Sequence, residues 1–319
     1  DVYKRQVFND AINPPIPGRL TIVLCTLTCL LAGMTQAALV HRYSFSESGG
    51  TTVGDSVGTA DATLINGSGA ATLAGGILTL GNNGTINSAD PGIDYVDLPN
   101  GMISALSPSA SFEAWVNWNG GGVWQRIWDF GISGGGEDVS AVSGNVYYTM
   151  VTPQSGPGVL MSEIATPEGL ANQQLGHTGP MPTGTLVHVA AVLDESELGF
   201  TMYLNGRAIN FATMLDFRLN LLNDVNNWLG RSQWPDTMFT GTYDEMRIYD
   251  HPLSADEVLE SYLAGPDAVG TVDLGGPLSA TLVGDPDMII ESSQQLRVAL
   301  DFATQSDVIV YADANTTYT

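Results

Sequence analysis

Three tryptophans, Trp124, Trp128 and Trp234, are the residues of this 319-residue chain best suited to the chemistry of recognition. Pyranose rings stack on exposed indole faces framed by polar side chains, and Arg126, Asn227 and Asp236 lie near these tryptophans in sequence. If residues 123–130 form a strand, Trp124, Arg126 and Trp128 share one of its faces, whereas Trp234-Pro235-Asp236 reads as a loop. Tryptophans of a sandwich more often fill the core, and the sequence leaves open which of these faces solvent. Trp124, Arg126, Trp128, Trp234 and Asp236 form the candidate ligand-binding set.

Patterns for catalysis are sparse. Retaining glycoside hydrolysis needs a nucleophile and a raised-pKa acid about 5 Å apart. Asp244 with Glu245 is out of phase on a strand, and Glu195 with Glu197 falls in a hairpin tip. No nucleophile elbow, phosphate loop or His-x-x-x-His spacing occurs. The histidines at 41, 177, 188 and 251 are scattered, and His188, inside an apolar segment, reads as a hydrogen-bonded structural residue. Acidic, Gly-rich loops are the better metal candidates, because Ca²⁺ takes about six to eight oxygen ligands.

The elements that must position these residues are short and β-patterned. Phe200–Leu204 and Arg207–Phe211 flank Asn205-Gly206, a pair that supplies the two positive-φ residues of a type I′ turn, so a hairpin is predicted. A period of two places Phe112, Ala114, Val116 and Trp118 on one strand face and Glu113, Trp115 and Asn117 on the other. The same period puts Asp244, Met246 and Ile248 opposite Glu245, Arg247 and Tyr249. Ser254 with Glu257 reads as a capping box opening a helix of about three turns that Gly265 closes.

In order, Leu-Val-His-Val-Ala-Ala-Val from Leu186, Tyr-Leu-Asn-Gly-Arg-Ala from Tyr203, Trp-Leu-Gly-Arg-Ser from Trp228, Tyr-Asp-Glu-Met-Arg-Ile-Tyr from Tyr243 and Leu253-Ser-Ala-Asp-Glu-Val resemble the laminin-G-like domains of the concanavalin A-like lectin/glucanase superfamily. His41-Arg-Tyr-Ser-Phe-Ser-Glu and its Gly-rich sequel are similar to the opening of bacterial members. The resemblance covers roughly 38–265. It implies an all-β fold, a two-sheet antiparallel jelly-roll sandwich with one short C-terminal helix. It also implies a structural Ca²⁺ held by Asp55, Asp61 and Asp244, carried over by position. The Glu-x-Asp-x-x-Glu pattern of the retaining glucanases is absent, so no enzyme activity is expected.

Residues 1–37 read as a leader: Asp1–Gln6 looks like assembly scar, and Arg19 precedes an apolar run of about 15 residues with small residues behind it, a secretory signal peptide rather than a membrane span. Cys25 and Cys29 lie inside it, so the exported part has no disulfide, thiol nucleophile or thiolate metal site. Removing the leader leaves seven Arg, no Lys and 32 acids, a balance of −25. That field excludes nucleic acid and anionic lipid as partners, and disfavours sulfated or uronic polysaccharides unless a metal or an Arg cluster intervenes. Residues 266–278 read as a linker and 279–319 as the first strands of an incomplete bacterial Ig-like module, so the chain reads as a fragment of a multidomain protein.

The sequence thus points to a secreted or cell-surface bacterial protein with a non-catalytic module for a polysaccharide or glycoprotein glycan, accompanied by further Ig-like or catalytic domains. A spacer without tight ligand and an accessory domain of a hydrolase are the alternatives.

Overall fold

The computed structural model describes residues 39–106, 108–140, 147–165, 173–213 and 218–268. The leader and the Ig-like segment expected at 279–319 lie outside the described residues, as does the linker beyond Ala268. The strands are β1 (Leu39–Tyr43), β2 (Thr52–Val53), β3 (Ala62–Asn66), β4 (Thr72–Ala74), β5 (Ile77–Gly81), β6 (Asp94–Leu98), β7 (Ser109–Trp118) and β8 (Trp128–Ile132). They continue with β9 (Tyr147–Thr152), β10 (Met161–Ala165), β11 (Gln173–Gly176), β12 (Leu186–Asp194), β13 (Gly199–Leu204), β14 (Arg207–Thr213), β15 (Asn226–Leu229) and β16 (Thr240–Tyr249). One helix, α1 (Ala255–Ala264), follows.

Two antiparallel sheets form a sandwich, as the resemblance implied. The first runs β14-β13-β12-β7-β16-β5-β4, with β1 beside the second half of β16. The second runs β11-β10-β9-β8-β15-β6-β3-β2. Alternation decides what each sheet turns inward. Phe112, Ala114, Val116 and Trp118 of β7 pack between the sheets with Trp128 and Phe130 of β8, Val96 and Leu98 of β6, and Phe200 and Met202 of β13. Asn205 (φ 50°) and Gly206 (φ 76°) join β13 to β14 in the left-handed conformation that this turn requires.

The alternation read for β16 is corrected at one place. Tyr243 pairs with Val116 and Glu245 with Trp115, so Asp244 is an extra, bulged residue. The bulge puts Tyr243 in the core with Met246 and Ile248, and Asp244 does not join them. Tyr243 then donates from its hydroxyl to the carbonyl of Ile127 (2.7 Å), which ties β16 to the segment entering β8 in the other sheet.

Glu113, Glu245, Arg247 and Tyr249 occupy the outer face of the first sheet, and α1 with the residues behind it covers them. Arg247 is 2% exposed. Its Nε donates to Glu245 (2.8 Å), its Nη1 to Ser261 of α1 (2.9 Å), and its Nη2 to the carbonyls of Pro266 (2.7 Å), Ala268 (2.8 Å) and Gly265 (3.2 Å). The guanidinium also lies 4.5 Å from the Trp115 ring centroid. Arg42 of β1 donates to both oxygens of Glu245, at 2.5 and 3.1 Å. Glu113 accepts from Ser261 (2.7 Å) and Tyr249 (3.0 Å) and meets His188 Nε2 at 3.3 Å, the structural role expected of that histidine. The capping box of Ser254 and Glu257 forms, and Gly265 ends the helix at φ 85°.

Removing one partner of a buried ion pair leaves the other charge uncompensated. Arg247→Ala in the full chain should therefore lower the unfolding free energy by about 3–5 kcal/mol in a urea titration, whereas Arg207→Ala on the exposed hairpin should change it by less than about 0.5 kcal/mol.

Candidate functional site

With α1 on the first sheet, the outer face of the second carries the aromatic and charged residues that remain. Strand register aligns one residue from each of seven strands into a row: Thr63, Asp97, Trp228, Asp129, Met150, Glu163 and Gln174. Their sequence neighbours Val96, Leu98, Leu229, Phe130, Val151 and Ile164 are core residues, so the row faces outward. Two loops fold over its middle, residues 119–127 before β8 and 230–239 between β15 and β16.

The first loop presents Trp124. Its backbone is fixed by hydrogen bonds from Trp124 N to Gln154 O (2.7 Å) and from Ile127 N to Val151 O (2.8 Å). Between them the buried Gln125 accepts from Trp118 Nε1 (3.0 Å) and Thr240 N (3.1 Å). Trp124 itself has φ +63°, a left-handed conformation uncommon for a bulky residue, and it turns the chain before β8 begins. The second loop presents Trp234, whose N–H donates to Ser232 Oγ (3.1 Å), and Gln233 N anchors the loop to Asp129 Oδ2 (3.0 Å). Both indoles are partly exposed and pack on Tyr148, Met150 and Ala165.

Arg126 fastens the two loops together. It donates from Nε to Asp129 (2.9 Å), from Nη1 to the Trp124 carbonyl (2.5 Å) and from Nη2 to Asp236 (3.0 Å), and it lies 5.7 Å from the Trp124 ring centroid. Asp236 also accepts from Ser232 Oγ at the same Oδ2 (2.8 Å). Burial raises the pKa of Asp129, against the pull of Arg126 and the Gln233 N–H. Behind the platform Glu163 accepts from the Tyr148 hydroxyl (3.0 Å) and Gln174 Nε2 (3.0 Å).

A second stack adjoins the first. The Arg231 guanidinium lies 4.0 Å from the Trp228 ring centroid and 4.7 Å from that of Tyr95 and donates to the Asp138 carbonyl (2.9 Å). Next to it, burial pushes the Asp97 carboxyl up to about 6, reinforced by the charge of Asp138.

Four of the five residues expected at a ligand site, Trp124, Arg126, Trp234 and Asp236, come together here. Trp128 does not. It is fully buried between the sheets against Phe112 and Phe130, because β8 starts only at Trp128 and the left-handed turn at Trp124 breaks the strand expected over 123–130. Asn227 also turns inward and donates to Asp224 and the Pro99 carbonyl. Sequence reasoning missed Tyr148, Met150 and Asp129. The alternation in Tyr147–Thr152 contained the signal for the first two, but nothing local pairs that strand with the Trp124 loop.

Asp55, Asp61 and Asp244, to which the resemblance assigned a structural calcium, are not brought together as a group of three carboxylates. The Asp55 carboxylate accepts from the N–H groups of Arg42, Val57, Gly58 and Ala60 and bonds His41 Nδ1 (2.7 Å), so its oxygens are filled by hydrogen-bond donors. Burial alone would raise its pKa, but the His41 bond and these backbone donors hold it at about 2. Asp61 accepts from Asp55 N (2.9 Å), and Asp244 sits on the β16 bulge. Among the described residues no group of three or more His, Cys, Asp or Glu is arranged to hold a metal ion.

EDTA should accordingly leave the melting temperature of the protein unchanged. The pH dependence should carry the signature of Asp97: an acid whose folded pKa is raised binds its proton more tightly when folded, so stability is highest at low pH and falls as pH rises from about 4 through 6. Melting curves from pH 4.5 to 7.5 should show that decline, and because the raised carboxyl of Asp129 acts in the same direction, Asp97→Asn should lessen it without abolishing it.

Solved structures with related architecture include a Trypanosoma rangeli sialidase in complex with sialic acid, 14% identical over 71% of this chain and 33% of that one, with a TM-score of 0.51. Two others are domain 4 of the extracellular arabinanase AbnA from Geobacillus stearothermophilus in complex with arabinotriose (21% identical, 70% of this chain, 98% of that one, TM-score 0.49) and the Ruminococcus gnavus IT-sialidase CBM40 bound to α2,3-sialyllactose (14%, 52%, 94%, TM-score 0.41). At these identities the likeness to the trypanosomal enzyme is one of fold, and this chain spans about a third of it. No curated protein sequence matches the chain. The Laminin_G_3 model, described as concanavalin A-like lectin/glucanases superfamily, matches residues 90–259, which include both platform loops and the Tyr243–Tyr249 strand, and the chain belongs to that family.

Proposed function

We propose that this domain is a non-catalytic glycan-binding module of a secreted or cell-surface protein, with the Trp124–Trp234 platform as its binding site. The observation that carries the reading is the pairing of two partly exposed indoles on one apolar cluster, Tyr148, Met150 and Ala165, with Arg126 fixing both loops from behind. Indole faces stack on the apolar faces of sugar rings, and rigid presentation lowers the entropy lost on binding. Asp236 stands at the edge of the platform, 24% exposed, and can accept from a sugar hydroxyl.

The carboxylates behind the platform support binding rather than hydrolysis. Asp129 is enclosed by Arg126 and the Gln233 N–H, and Glu163 is held by Tyr148 and Gln174. Neither is presented as an acid next to a free nucleophile, which glycoside hydrolysis requires. The apolar run behind Arg19 supports export, and among the described residues no helix is long and apolar enough to cross a membrane.

Isothermal titration of the full chain against a panel of plant, fungal and animal polysaccharides tests this reading. Trp124→Ala and Trp234→Ala should each weaken the observed binding by about 2 kcal/mol, the scale of a buried aromatic contact, with little change in melting temperature. Trp128→Ala should instead cost about 3–5 kcal/mol of stability, as removal of a core aromatic does. Absence of saturable binding across the panel would leave the domain as a spacer.

A further inference from the structure

The electrostatics of the platform select the class of sugar. We infer that the site takes neutral, hydroxyl-rich glycans and rejects those bearing carboxylate or sulfate, a conclusion that rests on the glycan-binding reading above.

The only cation at the platform among the described residues is Arg126, and it is spent. It is 2% exposed, with Nε on Asp129, Nη2 on Asp236 and Nη1 on the Trp124 carbonyl. A guanidinium that binds an anionic sugar must offer a pair of N–H donors to the incoming carboxylate. Here one face of the fork is filled by Asp129 and the other by Asp236, so an acidic sugar would have to displace a carboxylate that is already in place. The neighbouring cation, Arg231, is 5% exposed, with its face against Trp228 and Tyr95 and its Nη2 on the carbonyls of Asp138 and Ser88. It offers no substitute.

What the site does present is an acceptor. Asp236 uses Oδ2 for both Arg126 and Ser232, which leaves Oδ1 at the partly exposed edge of the platform. A carboxylate oxygen accepts from sugar hydroxyls and repels sugar carboxylates. Glu163 and Asp129 lie on the same row of this sheet, and no Lys exists anywhere beyond Lys4. Two indole faces, one acceptor edge and no available cation fit a sugar whose only polar groups are hydroxyls and ring oxygens. Asp236 is then a specificity-determining residue, because it both accepts from a hydroxyl and occupies the arginine that an acid would need.

The test is a matched panel given to the full chain: neutral oligosaccharides of glucose, xylose, mannose, arabinose and galactose, each beside a counterpart carrying a uronate, sialate or sulfate. Expected is saturable binding to at least one neutral glycan, lost in Trp234→Ala, with the acidic counterpart weaker by at least about tenfold, the discrimination that like-charge juxtaposition supplies. In Asp236→Asn that ratio should shrink, because the carboxylate charge that repels an acid is gone while the amide oxygen can still accept from Arg126 Nη2. In the unaltered chain, binding of the acidic counterpart should strengthen as NaCl is raised from about 20 to about 500 mM, since salt screens repulsion. Trp234-dependent binding in which the acidic glycan is equal or tighter overturns the neutral-sugar inference and keeps the platform. Binding that ignores Trp234→Ala, or no binding to either series, overturns the platform and the inference with it.

Discussion

A guanidinium taken out of water must find partners for its donors, and at Arg247 that requirement organises one side of the molecule. A bare buried charge is far too expensive to keep, so β16 supplies Glu245, β7 supplies the Trp115 face, α1 supplies Ser261, and the chain beyond the helix returns to offer three carbonyls. The contacts to Ser261 and to the three carbonyls cannot form unless the helix is docked and the following residues have folded back. The hydrophobic core between the sheets is larger, but it is indifferent to where α1 lies. Polar satisfaction of Arg247, together with Glu113 and its bonds from Ser261 and Tyr249, gives the helix one position. The Tyr-Asp-Glu-Met-Arg-Ile-Tyr block thus has a physical explanation: its alternate residues serve the core on one side and this polar lock on the other, and the bulged Asp244 sets the phase between Tyr243 and the rest.

The opposite sheet repeats the device with a different result. Arg126 is as deeply buried as Arg247, but it is held by two carboxylates and one carbonyl, drawn from β8 and two loops instead of a helix. Where Arg247 closes a face, Arg126 holds one open by keeping Trp124 and Trp234 apart from the core and fixed to each other's surroundings. In a chain with so few cations, both of these arginines serve as internal fasteners, and among the described residues the exterior carries many acids against the exposed Arg207 and Arg218. The low count of positive charges is therefore a property of the surface more than of the architecture.

Much of the fold could be read from the residues because its signals are local. Asn205-Gly206 requires a tight hairpin whatever surrounds it, Ser254 and Glu257 cap a helix through bonds three residues apart, and the ten residues of β7 alternate without interruption. The site was less legible because its geometry depends on long-range partners. Trp124 and Trp128 are four residues apart and look alike in a strand, yet one left-handed residue sends the first to the surface and leaves the second in the core. Asp129 contacts Gln233, and Arg126 contacts Asp236, across more than a hundred residues. The acids of the early loop are ambiguous in sequence for a related reason. A carboxylate surrounded by glycines can serve a cation or a cluster of backbone N–H groups, and only the path of the chain around Asp55 distinguishes them.

The pairing of β1 with β16 has a consequence in time. Arg42 reaches Glu245 and the Pro266 carbonyl over sequence separations of 203 and 224 residues, so the first strand of the sandwich waits for the last. At roughly 5–20 residues per second of synthesis, that wait is about 10–40 s. Throughout it β1 lacks its partner β16, and once β7 has emerged it carries Glu113 on a face with no helix above it. A nascent chain of this kind cannot complete its fold piece by piece as it emerges; the closing contacts arrive together, at the end.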